Sequence, residues 1–89
     1  MNLIAIIGII HSVNKMNKDV TNILLRVKKP FFNYGENSID YECIPIEINN
    51  LIFKNELENI IIGNLIGLKG RLENDNNTTK VIAEKIQLF

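Results

Sequence analysis

The stretch NNLIFKNELENIIIGNLIGLKGRLE, residues 49–73, changes its hydrophobic period partway along. Across 51–62, Phe53, Leu57, Ile60 and Ile61 fall at helical spacing and share one side. Asn49 and Asn50 stand where an N-cap is needed, since their side chains can accept from the orphan amides of a first turn. Gly63 stands where a helix of that length would end. From Asn64 onward the helical period is lost, and aliphatic residues punctuated by Gly67 and Gly70 predict a strand over 64–73. One helix is therefore set directly against a strand. The fold depends on how many strands surround the pair.

Toward the N-terminus, residues 39–49 alternate. Ile44, Ile46 and Ile48 point one way, while Tyr41, Cys43, Pro45 and Glu47 point the other, as in a half-buried strand. Pro45 cannot donate a ladder hydrogen bond and is expected at an edge, a bulge or a gap in pairing. From Thr21 the same alternation sets Ile23, Leu25 and Val27 against Asn22, Leu24, Arg26 and Lys28. Residues 2–13 are an aliphatic run interrupted by Gly8, a predicted strand with a bend or bulge at that glycine. Toward the C-terminus, the polar run NDNNTT predicts a hairpin turn, and residues 79–88 predict a last strand. Five strands with one helix between the third and fourth is the layout of the OB-fold, an all-β Greek-key barrel, here as one domain over residues 1–89. The helix stripe would close one end of that barrel, and Gly8, Gly67 and Gly70 would permit its tight coiling.

Composition narrows what such a barrel can do. Ten basic and ten acidic residues cancel, so attraction to a polyanion must come from a local patch. The single cysteine, Cys43, cannot form an intrachain disulfide, which fits a reducing, cytoplasmic setting. The opening apolar run is too short to span a membrane and lacks the features of a secretory leader, so no membrane role is expected. His11 is the lone histidine, and Glu56 and Glu58 lie two apart and do not face each other on a helix. No catalytic constellation, metal-ligand set or cofactor motif emerges. A non-enzymatic protein without metal or cofactor is expected.

One stretch stands out chemically. In KKPFFNYG, residues 28–35, two lysines run through a proline into Phe31, Phe32 and Tyr34, where the chain must turn. The parity of Phe31 continues the core register of Ile23, Leu25 and Val27, whereas that of Phe32 and Tyr34 points outward. Tyr41 falls on the outward face of its strand. Exposed rings offer a platform for unpaired bases, at roughly 1–3 kcal/mol per stacked base. Arg26, Lys28 and Lys29 lead into that platform and could neutralise phosphates, with Lys69, Arg71, Lys80 and Lys85 available to extend the track.

Segments along nearly the whole chain resemble the bacterial single-stranded DNA-binding proteins. NLIAIIGII is similar to that family's first strand, TNILLRVKKPF to its second and DYECIPIEI to its third. The closest matches are GNLIGLKGRLE, a helix-ending glycine followed by a strand closing on Gly-Arg-Leu, and the final VIAEKIQLF. The resemblance implies sequence-nonspecific binding of single-stranded DNA in replication, repair or recombination. It also implies base-stacking aromatics, assembly into a homo-oligomer (dimer or tetramer), and replication proteins as further partners. Carried over by position, Tyr41 matches a base-stacking aromatic, and 31–34 match a DNA-gripping loop.

The sequence also departs from the family. It has no tryptophan, carries Glu47 where another stacking aromatic usually stands, and has a short hairpin between the last two strands. With no glycine-rich linker or acidic tail after Phe89, it resembles a short, tail-less member or a primosomal replication protein of the same fold family. The expected nucleic-acid contacts are Arg26, Lys28, Lys29, Phe31, Phe32, Tyr34, Tyr41 and Arg71. The competing expectation is an OB-fold interaction module of a replication or primosome complex with little DNA affinity, which zero net charge, Glu47 and the missing tryptophan favour.

Overall fold

The computed structural model describes residues 3–28 and 41–89. Five strands, β1 (Ile4–Lys15), β2 (Val20–Lys28), β3 (Tyr41–Asn49), β4 (Leu65–Asp75) and β5 (Thr78–Leu88), close into a barrel in the order β1-β2-β3-β5-β4. A short helix, α1 (Lys54–Glu58), connects β3 to β4. All neighbours are antiparallel except β3 and β5, which pair in parallel through Ile46–Val81 and Glu47–Ile82. This is the expected five-stranded OB architecture.

Alternation along the strands builds the core. Ile10, Ile23, Leu25, Ile46, Ile48, Ile66, Leu68, Val81 and Ala83 point inward and are buried, and Phe53 closes the helix-side end. Closure leaves few strand edges bare, an advantage for a chain too small to build a deep core. Pro45 stands opposite Leu24 of β2 and immediately precedes the two-residue parallel pairing of β3 with β5.

The helix is shorter than the periodicity predicts. It spans Lys54–Glu58 rather than 51–62. Asn49 does cap, but over the preceding turn: its Oδ1 accepts from the N–H groups of Leu51 and Ile52 at 2.9 and 3.0 Å. Phe53 is buried, and Leu57 and Ile60 pack against the core, but Ile61 is exposed, so the predicted stripe ends one residue early. Gly63, at a φ of +94°, lies in the turn into β4 instead of ending the helix. There its N–H donates to the Ile10 carbonyl at 2.8 Å, while the Ile10 N–H donates to the Asn64 carbonyl at 3.0 Å.

The expected irregularity in β1 is present, displaced from Gly8. The register against β2 shifts between Ile10 and Ser12. Gly8 serves close approach instead, since a Cβ there would lie 2.7 Å from the Arg26 carbonyl oxygen. Gly70 adjoins the corresponding irregularity between β4 and β5, and any side chain there would strike the Ile82 carbonyl. The polar hairpin turns at Asn76 and Asn77, with φ of 49° and 66°, left-handed values that asparagine tolerates well. Among the described residues no helix is long and apolar enough to cross a membrane.

Candidate nucleic-acid interface

Cross-strand partners share a face, so the ladder assembles a surface from residues far apart in sequence. On the outer wall of β2 and β3, Lys28 stands opposite Tyr41, Arg26 opposite Cys43, Leu24 opposite Pro45, and Asn22 opposite Glu47. The parallel step continues the last row to Ile82, and β4 adds Arg71 opposite Ile82 and Glu73 opposite Lys80. The inward register of Ile23, Leu25, Ile46 and Ile48 leaves these side chains no other direction.

Three of the expected contacts converge. The Arg26 guanidinium carbon lies 4.7 Å from the centre of the exposed Tyr41 ring, a cation–π contact beside Lys28. Arg71 stands on β4, separated from β2 by β3 and β5 along this wall. Its Nη1 donates to Glu73 Oε2 at 2.7 Å, so a phosphate must compete for it. Lys29, Phe31, Phe32 and Tyr34 lie outside the described residues.

Sequence reading counts Glu47 against nucleic-acid binding, but the structure gives it a partner. Lys80 Nζ donates to Glu47 Oε1 at 3.2 Å across the β3–β5 pairing. The hydrogen bond to Glu47 and its charge raise the Lys80 pKa above the ordinary 10.5, with smaller contributions from Asp75 and Glu73. Lys80 is thus cationic at neutral pH, and Glu47 is locally neutralised. The contact joins residues 33 apart in sequence and depends on a parallel register that no local pattern encodes. Cys43, on the outward side that its strand alternation predicts, is exposed on this wall beside Arg26. Phe89 is exposed and lies against Gly67.

Among the described residues no group of three or more His, Cys, Asp or Glu side chains could hold a metal ion. Chemically, the wall offers an aromatic face, cations and apolar side chains at Leu24, Pro45 and Ile82.

No protein-family model matches the sequence, and no curated protein matches it. Solved structures do match in shape. The PriB protein from Ralstonia solanacearum superposes with a TM-score of 0.77 at 12% identity, over 99% of this chain and 97% of that one. A small single-stranded DNA-binding protein from Mycoplasma pneumoniae gives 0.72 at 18% identity, covering 98% and 92%. The N-terminal domain of PriB from Thermoanaerobacter tencongensis, described as dimeric, gives 0.70 at 21%, covering 99% and 96%. The likeness spans each chain nearly end to end, and with the closed β1-β2-β3-β5-β4 order it makes this protein an OB-fold barrel.

Proposed function

We propose that the outer wall of β2, β3 and β5 binds single-stranded DNA without sequence preference, and that the chain is a short relative of the single-stranded DNA-binding and PriB proteins it resembles in shape. The observation that carries this reading is the grouping of Tyr41, Arg26 and Lys28 on one exposed surface. Stacking rewards any base and the cations reward any phosphate, so the wall has affinity without a base code. The wall also leads into the residues 29–40 that carry Lys29, Phe31, Phe32 and Tyr34, which we include in the binding set with Arg71. A cytoplasmic, non-enzymatic role in replication or repair fits this chemistry. The test is fluorescence anisotropy of labelled oligo-dT titrated with protein at several salt concentrations. Micromolar or tighter binding that weakens with salt supports the proposal, whereas no binding at low salt leaves the protein-docking alternative in its place.

The Lys80–Glu47 pair sets a sign within this reading. Removing the carboxylate charge with Glu47→Gln frees Lys80 for a phosphate. Oligo-dT affinity is expected to rise, and the log–log salt dependence to steepen by about 0.7 for the added contact. Unchanged or weaker binding would place Lys80 outside the DNA path.

The other side of the barrel supports self-association. Leu3, Ile7, Leu65 and Phe89 are all exposed. Ile7 and Phe89, with Ala5 and Gly67, form the apolar part of a shallow concavity of about 260 Å³ that Lys69, Lys85 and Gln87 also line. Apolar side chains grouped on a sheet face mark an interaction surface. We assign it to a second copy of the chain. Ile7→Glu is expected to convert the oligomer to monomer in sedimentation velocity while leaving the melting transition cooperative.

A further inference from the structure

We propose that the helix-side mouth of the barrel is a second anion site, built to take a phosphate group. Lys15 pairs with Thr21, which is buried, so this lysine stands at the barrel rim rather than on the outer wall. Lys18 joins it from the β1–β2 turn and Lys54 from the first residue of α1. The three lysines line a concavity of about 330 Å³, to which Val13 and Leu57 contribute apolar surface.

The rim is braced by hydrogen bonds. Thr21 Oγ1 donates to Asn50 Oδ1 at 2.6 Å, and Asn50 Nδ2 donates to the Asn17 carbonyl at 3.1 Å. Asn17 Oδ1 in turn accepts from the Asp19 and Val20 N–H groups at 2.8 and 3.0 Å. The mouth is therefore preorganised on its polar side, which lowers the ordering cost of binding.

Charge identifies the ligand. Three lysines against one lining carboxylate, Glu58, leave an excess of two positive charges in a chain whose totals cancel. The ion pairs at 4 Å or less among the described residues, Arg71–Glu73 and Lys80–Glu47, involve none of these lysines. Three like charges facing a single carboxylate repel, and a phosphate, which lysine binds as a point charge, relieves that repulsion.

The phosphate has two sources. It can belong to a DNA strand that leaves the β2–β3 wall past Asn22 and Glu47, one residue from the rim at Thr21 and Ile48; this source rests on the proposed function. It can equally be a free phosphate ester, which does not depend on that reading.

The full chain is compared with the triple variant Lys15→Gln, Lys18→Gln, Lys54→Gln. All three lysines are exposed, and a thermal melt verifies that the barrel survives their replacement. Inorganic phosphate is expected to shift the amide resonances of Lys15, Lys18, Asn50 and Lys54 in the native chain and not in the variant. If the strand supplies the phosphates, the log–log salt slope for a long oligo-dT falls by about 2 in the variant, at about 0.7 per lost contact. A short oligo-dT that cannot reach the mouth keeps its slope. If a free ester is the ligand, both slopes stay the same and only the phosphate shifts are lost. A native chain that binds no oligo-dT yet responds to phosphate at these amides refutes the proposed function and keeps the site. Absence of both the phosphate shifts and the slope change overturns the site, as does a response to polyglutamate alone.

Discussion

Gly70→Ala is expected to destabilise the barrel by about 3 kcal/mol, lowering the melting temperature by roughly 12–24 °C for a domain of this size. The cause is local. A methyl group at Gly70 would enter the space of the Ile82 carbonyl on β5, beside the register shift by which β4 and β5 close against each other. Backbone in a paired strand cannot yield as a flexible side chain does. The strands would have to separate, taking ladder bonds and the burial of Val81 and Ala83 with them. Gly63→Ala is the useful contrast, because nothing lies within 4 Å of its Cβ position and the cost is that of the left-handed backbone alone, about 1–2 kcal/mol. Urea melts of the two variants followed by circular dichroism check the ranking. A Gly70→Ala protein as stable as the native one would show that the barrel closes differently.

Tyr41→Ala is expected to weaken oligo-dT binding by about 1–3 kcal/mol, roughly 5- to 150-fold, while Tyr41→Phe retains nearly all of the affinity. The ring stands exposed beside Arg26 and Lys28, so its loss removes a stacking surface at the centre of the cationic group. Arg26 complicates the reading in a measurable way. Its guanidinium already covers one face of Tyr41 at 4.7 Å, so a base must use the other face or stack on the arginine. Arg26→Ala should therefore lower the salt slope by about 0.7 and also change the effect of Tyr41→Ala. A double-mutant cycle measured by anisotropy isolates that coupling. Additive losses would mean that the two side chains meet DNA separately.

Much of the barrel is legible from period alone. Alternation in 21–28 and 41–48 fixes which residues face outward, and the structure puts Arg26, Lys28 and Tyr41 where that parity sends them. The periodicity overextends the helix because Leu51, Ile52, Ile61 and Ile62 continue an apolar run that mimics a longer stripe. All four are in fact exposed, and the chain between the strands needs only one short helix to deliver Phe53 to the core. Gly8 predicts a bend or bulge because sequence does not distinguish a glycine that bends its own strand from one that admits a neighbour. The charge state of the wall was hidden for a different reason. Glu47 and Lys80 meet only through a two-residue parallel pairing, and Arg71 loses its freedom to a carboxylate two residues away on its own strand. The lysines at the barrel mouth come from three separate segments, and only closure of the barrel brings them to one concavity.

In the proposed function, unpaired nucleotides lie along the outer wall of β2, β3 and β5. Amide chemical-shift mapping with oligo-dT at low salt tests it most directly. The predicted result is perturbation concentrated in residues 22–28 and 41–47, with Lys80 and Ile82, and reversed by added salt. Perturbation confined to Leu3, Ile7, Gly67 and Phe89 on the opposite side, or none at all, would contradict it.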